Sequence, residues 1–349
     1  MEFGMFHEFQ QPPGQGAAEA FQQSFEQVDA AERWGLDAMW LAELHFNPQR
    51  SVLSSPMLMA AAIAMRTKRM KIGTAVQVLP LCHPLRIAEE AATVDQISEG
   101  RLIFGVGRSG FAHTYRTYNV DYAESRERFA EVLDICKLAF TKENFSYKGK
   151  YYAYDNVTLS PKPWQKPWPE IRVAAASPDT YPALGKQGHA AFVAARTGNL
   201  SELAPLVRTY RKAWKEAGHP GNGQIFLRVP VYVADTEERA REEPRESILH
   251  LLRTIGARLE QSANASGARE IENRAARGAK MQSIEYDEVL KERMIVGTPS
   301  RVVDRLQQLQ EELGLDGILA ELNPGSLIPH EQVMTALRLL CQEVMPKFK

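Results

Sequence analysis

Short apolar runs rich in β-branched and aromatic residues alternate with longer stretches whose apolar positions recur at helical spacing, and this rhythm runs through most of the chain. The alternation predicts repeated βα units around a parallel sheet. Strands are expected over 2–6, 38–42, 71–76, 101–106, 171–175, 191–194, 225–233 and 317–321. Helices are expected over 17–34, 56–65, 84–98, 122–140, 178–188, 200–218, 299–314 and 329–345. Within the third of these, Ile87, Ala91, Val94 and Ile97 trace a buried stripe, Pro84 opens the helix and Gly100 follows its end. Eight strands and eight helices in strict alternation predict a (β/α)8 TIM barrel, forming one α/β domain over residues 1–349.

Two stretches break the rhythm. Residues 145–159, with Lys148-Gly149-Lys150 at their centre, predict a β-hairpin before the fifth strand, and Pro161, Pro163, Pro167 and Pro169 keep the chain extended after it. Residues 235–293 are too long for a plain connection after the seventh strand and predict an excursion at the barrel mouth, partly helical and partly mobile. Its most mobile part is expected at 264–277, a lid over the mouth. Pro56 to Met65 is apolar on every face, where a helix outside a monomeric barrel needs one polar face; this predicts a subunit interface, with a covering loop as the alternative.

Charge narrows the function classes. Forty-two Lys and Arg stand against 43 Asp and Glu, so the basic surplus needed to bind nucleic acid or an anionic membrane is absent. Cys82, Cys136 and Cys341 are widely spaced and odd in number, which offers neither a disulfide framework nor a metal knuckle. No apolar run approaches membrane-spanning length and the N-terminus lacks the pattern of a signal peptide, so a cytoplasmic protein is expected.

Ligands of such barrels sit beyond the C-terminal ends of the strands. His7, His45, His83 and His113 follow the first four strands, and two readings stand: a metal site, or hydrogen-bonding residues. Against the metal, the first strand is followed by His7-Glu8-Phe9, not by two histidines flanking one residue. Gly105-Val106-Gly107-Arg108-Ser109-Gly110 matches a dinucleotide fingerprint, yet it follows the fourth strand and no helix is expected until residue 122. Either the glycines let a tight loop leave the barrel, or small residues let a flat ring approach while Arg108 grips a phosphate through its planar fork. Ala175-Ala176-Ser177-Pro178-Asp179-Thr180 ends the fifth strand and opens a helix, which is an anion site or an ordinary serine cap. Arg126, in the first turn after the fourth strand, is expected near Arg108, or paired with Glu124 or Glu127.

With these residues in view, the sequence resembles the bacterial luciferase-like family of flavin-dependent monooxygenases over nearly its whole length. The resemblance rests on Met1-Glu2-Phe3-Gly4 with Pro12-Pro13, the run Trp40 to Phe46, Gly73-Thr74-Ala75-Val76 with Leu79-Pro80, and His83-Pro84. Asp95-Gln96, Gly100-Arg101, Ser125-Arg126, Gly297-Thr298-Pro299 and Val344-Met345-Pro346 extend it, in order and spacing. It implies a barrel that takes reduced FMN from a separate flavin reductase and uses dioxygen, through a flavin hydroperoxide, to oxygenate a small organic substrate. It places the FMN phosphate near Arg108, Arg126, Ser177 and Thr180. Gly107, Ala175 and Ala176 lie beside the cofactor, and Ala75-Val76 is where the family carries a non-prolyl cis peptide beneath the flavin.

The sequence departs from the family at one telling place. The luciferase catalytic subunit has two consecutive histidines after the glutamate of the second strand, the first of them catalytic; here they are Leu44 and His45. His45 is therefore the candidate for proton transfer, with His83 and His113 behind it. Ala176 replaces a family glutamate beside the phosphate-binding serine. Two other readings are a deazaflavin-dependent oxidoreductase of the same fold and a non-catalytic flavin-binding subunit. A homodimer or related heterodimer is expected.

Overall fold

The computed structural model describes residues 1–175, 177–194, 199–263 and 271–349, the side chains of 261–274 excepted. The chain runs β1 (Glu2–His7), α1 (Ala17–Arg33), β2 (Ala38–Leu41), α2 (Pro56–Arg66), β3 (Lys71–Thr74), β4 (Gln77–Val78), α3 (Pro84–Ile97) and β5 (Leu102–Gly107). Then come α4 (Ala112–Thr117), α5 (Ser125–Thr141), the hairpin β6 (Phe145–Lys148) and β7 (Ala153–Val157), β8 (Glu170–Ala174), α6 (Thr180–Gln187), β9 (Ala190–Ala194) and α7 (Leu203–Glu216). The last part is β10 (Ile225–Val233), α8 (Glu237–Glu242), α9 (Arg245–Ala263), α10 (Ile271–Gln282), α11 (Tyr286–Glu292), β11 (Ile295–Gly297), α12 (Pro299–Leu313), β12 (Gly317–Glu321) and α13 (His330–Leu339).

Eight parallel strands pair in the order β1-β2-β3-β5-β8-β9-β10-β12, and β12 returns to β1 with Glu2 opposite Gly317. The barrel is closed, as the sequence rhythm predicts. Its strands are buried almost throughout because helices cover them outside and side chains fill them inside, so they read as continuous apolar runs. Charge is also admitted. Arg172 of β8 is 1% exposed, donates to Glu2 at 2.7 Å and to Glu170 at 2.7 Å, and lies over the Phe226 ring.

Several boundaries differ from those expected. The third predicted strand stops at Thr74 and resumes as β4 after a cis Ala75–Val76 peptide, so that β4 pairs with β5. The helix expected at 178 begins at Thr180, because Ser177 to Asp179 form a turn closed by Thr180 N–H donating to the Ser177 carbonyl at 2.9 Å. Ile97 is 40% exposed and lies off the buried stripe of α3, where Ala88 and Ala92 sit instead. The chain between β5 and α5 holds an unexpected short helix, α4, and β11 adds a strand outside β10. The last predicted helix ends at Leu339, continuing as a π turn over Leu340–Val344 and a 3-10 turn over Met345–Phe348.

The excursion after β10 is helical wherever it is described, comprising α8 to α11. Residues 264–270, on which most of the expected mobile segment falls, lie outside the described residues; 271–277 belong to α10. Helix α9 crosses the barrel mouth. At its start Ser247 Oγ donates to the Pro324 carbonyl at 2.7 Å and accepts from Leu327 N–H at 2.9 Å, beyond β12. Three turns on, Arg258 lies 5.7 Å from the Phe111 ring, beyond β5. Among the described residues, no helix is long and apolar enough to cross a membrane.

Candidate active site

One corner of the mouth gathers positive charge between the ends of β5 and β8. Arg108 is the first residue after β5, and its Nη1 donates to Ser125 Oγ at 3.3 Å at the start of α5. The Tyr115 hydroxyl of α4 donates to the Arg108 carbonyl and holds this loop in place. Burial, and then the neighbouring Arg126 guanidinium, pull the Arg108 pKa down. A half-buried guanidinium beside a second positive charge forms a place that an anion relieves.

The end of β8 supplies the other half. Ser177 Oγ is 2.8 Å from Thr180 Oγ1 and donates to Asp179 Oδ1 at 2.5 Å. Asp179 Oδ2 accepts from Arg126 Nη1 at 2.9 Å. The Ser177 hydrogen bond and then Arg126 hold the Asp179 carboxyl below its usual range. Arg108, Arg126, Ser177 and Thr180 are thus brought together. The two glutamates considered for Arg126 go elsewhere: Glu124 to Arg128 at 2.8 Å and Glu127 to Lys150 at 2.7 Å. Ala175 is buried, its N–H donating to the Phe192 carbonyl at 2.8 Å, whereas Ala176 lies outside the described residues.

The glycines of the fingerprint have a packing reason. A Cβ on Gly105 would stand 1.7 Å from the Thr74 carbonyl oxygen, and one on Gly107 would stand 2.5 Å from Val76 Cγ2. They let β5 approach the Ala75–Val76 segment, and neither has a positive φ of the kind a glycine turn requires. The match to a dinucleotide fingerprint is therefore accidental: Gly105 and Gly107 are strand residues.

A buried carboxylate the sequence reading passed over stands beside that segment. Glu43 follows β2 closely; its Oε2 accepts from Gln77 Nε2 at 2.6 Å and from Val78 N–H at 2.7 Å, and its Oε1 lies 2.7 Å from His45 Nε2. With Nε2–H donating to the carboxylate, a neutral ring leaves Nδ1 to accept from the Tyr118 hydroxyl at 3.2 Å. Cys82, 3.4 Å from Gln77 Nε2, has its thiol pushed well up by burial and then by Glu43, which makes it inert as a nucleophile. Leu44 packs on the core instead. A glutamate amid the apolar run Trp40-Leu41-Ala42 was the available signal.

The other histidines do not converge. His7 is fully buried, its Nδ1 accepting from Phe9 N–H at 2.9 Å, and burial lowers its pKa to about 4. His83 is exposed near Tyr154, and His113 is exposed near Phe46. Among the described residues no group of three His, Cys, Asp or Glu could hold a metal ion. On the outer surface, α2 buries Met57, Ala60, Ile63 and Ala64 and leaves Leu58 and Met65 66% and 70% exposed.

The family model described as luciferase-like monooxygenase matches residues 1–317. The oxygenase component of a flavin-dependent trigonelline monooxygenase from Acinetobacter baylyi is 25% identical, over 100% of this chain and 96% of its own length. In fold, the chain is similar to the oxygenating constituent of 3,6-diketocamphane monooxygenase from Pseudomonas putida in complex with FMN (TM-score 0.83, 22% identity, 99% of both chains). It is also similar to the coenzyme F420 dependent tetrahydromethanopterin reductase of Methanopyrus kandleri (TM-score 0.74, 20% identity, 100% of this chain and 99% of that one).

Proposed function

The chain belongs to the luciferase-like monooxygenase family, and on that premise we propose that it is the oxygenase component of a two-component system, taking reduced FMN from a separate flavin reductase and using dioxygen to oxygenate a small organic substrate. The observation that carries this reading is the meeting of Arg108 and Arg126 with the Ser177 and Thr180 hydroxyls at the ends of β5 and β8. These groups suit a phosphate: two planar forks supply charge-assisted donors and two hydroxyls complete the shell. Reduced flavin, when bound, supplies the electrons with which dioxygen is activated.

The remaining roles fall to this chain's own residues. Ala75 and Val76, with Gly107 packed on Val76, and Ala175 just after β8 supply small groups and backbone against which a flat ring can lie. Helix α9 roofs the mouth and keeps water from the reacting groups. His45 holds or moves a proton at Nε2 or Nδ1, and Glu43 orients it. The uncovered Leu58 and Met65 of α2 support a dimer with a second copy or a related chain.

Reconstitution tests the reading. The protein is titrated anaerobically with reduced FMN and with reduced coenzyme F420, and oxygen uptake is then followed with candidate substrates. Tight FMN binding with substrate-dependent oxygen uptake is expected; binding of the deazaflavin alone would replace the oxygenase reading with hydride transfer.

A further inference from the structure

Beneath α9, on the side of the mouth formed by β10, β12 and β1, lies a second set of charges. Glu8 takes a paired contact from Arg50 through Nε (2.7 Å) and Nη2 (2.5 Å). Arg228 donates from Nε at 3.1 Å and Nη2 at 2.9 Å to Glu321 Oε2, and lies 3.6 Å from Glu8. Arg258 of α9, whose guanidinium lies over the Phe111 ring, is close enough to feel the charges of Arg50 and Glu8. Arg293, just before β11, is 4% exposed, and its Nε and Nη1 have no hydrogen-bond partner, like Glu321 Oε1 and Arg50 Nη1. Arg50 and Arg228 are thus paired with Glu8 and Glu321, whereas Arg293 forms an ion pair with neither, in a setting largely shielded from water. The acids that act on Arg293, Glu202, Glu288 and Glu292, do so through space without an ion pair.

A buried guanidinium with unused donors is costly unless something completes it. Arg293 and the paired Arg228 and Glu321 line a cavity of about 40 Å³ whose other walls are Val229 and Pro230 of β10 and the apolar face of α9, namely Ile248, Leu251, Leu252 and Ile255. The volume suits a head group of a few atoms, and the wall suits a hydrocarbon. Resting on the oxygenase reading above, we propose that this cavity receives the anionic end of the substrate, so that the enzyme acts on small organic acids: a carboxylate on Arg293, and an apolar body along α9.

Hexanoate and its neutral isostere hexanamide serve as probes, with binding to the flavin-free full chain measured by calorimetry alongside FMN titrations. Hexanoate should bind about tenfold or more tightly than hexanamide. Arg293→Met should abolish that preference and Arg293→Lys keep part of it, with FMN affinity unmoved in both variants. Equal binding of the two probes, binding of neither, or a preference that survives Arg293→Met would overturn the proposal. A hexanoate preference in a protein that fails to bind FMN would support it and overturn the flavin reading instead.

Discussion

Glu43 and His45 meet at 2.7 Å with the carboxylate the more deeply buried of the two, so the imidazole is fixed from inside the fold with its other nitrogen facing the Tyr118 hydroxyl. Glu43 is in turn fixed by Gln77 and by the Val78 N–H, immediately after the Ala75–Val76 segment. If His45 handles the proton, His45→Ala should lower product formation by about 10²-fold or more while FMN affinity and fold stay intact. Glu43→Gln has one acceptor oxygen for three donors. It should cost about 1–3 kcal/mol of stability, seen by denaturant titration, and lower kcat with FMN affinity retained. Loss of FMN binding in His45→Ala, with turnover per bound flavin unchanged, would make His45 a packing residue.

Asp179 occupies donors that a phosphate would need. Its carboxylate holds Arg126 at 2.9 Å and Ser177 at 2.5 Å, and a bound dianion would compete with it for both. Asp179→Asn should therefore tighten FMN binding by about tenfold, the effect of removing one like charge from the site. Fluorescence titration with FMN measures this, and weaker binding would mean that Asp179 positions Arg126 for the phosphate.

Acid should destabilise the protein through its buried histidines. Burial lowers His7 and His189 to about 4 each, from an ordinary value of 6.5; His189 also lies 3.1 Å from Lys137 Nζ, whose charge opposes its protonation. Between those limits the unfolded chain binds more protons than the native one, so stability is full above pH 6.5 and falls as pH drops toward 4. Each histidine contributes up to about 3 kcal/mol to that fall. His189→Gln, which keeps an acceptor for Lys137, should flatten the dependence; denaturant unfolding at pH 7 and pH 4.5 gives the comparison.

The exposed face of α2 predicts self-association. Leu58→Glu or Ala61→Glu should shift a dimer toward monomer, and sedimentation of the parent as a monomer at micromolar concentration would remove the interface.

The barrel was legible because its strands are buried on both faces: β10 and β12 are largely apolar runs between turn residues, interrupted by Arg228, Pro230 and Glu321, and the sequence predicts both with their observed limits. What stayed hidden depends on contacts between distant segments. β11 has three residues and no periodicity of its own, and α4 lies in a mixed polar and aromatic loop. The pairing of Arg126 with Asp179 joins α5 to the turn before α6, whereas local spacing offers only Glu124 or Glu127 as carboxylate partners beside the expected proximity to Arg108. Glu43 sat inside a recognised run, but a sequence does not show that three donors converge on one carboxylate. Arg108 and Arg126 could be picked out as candidate anion ligands because one stands where a strand ends and the other where a helix begins.

If Arg108 and Arg126 anchor a flavin phosphate, anaerobic titration of reduced FMN against the parent and the two alanine variants shows it most directly. Arg108→Ala should weaken binding by about tenfold or more, and Arg126→Ala by less, because Asp179 already claims Arg126. Riboflavin, which lacks the phosphate, should bind parent and variants alike. FMN affinity equal in all three proteins would contradict the account and move the cofactor elsewhere.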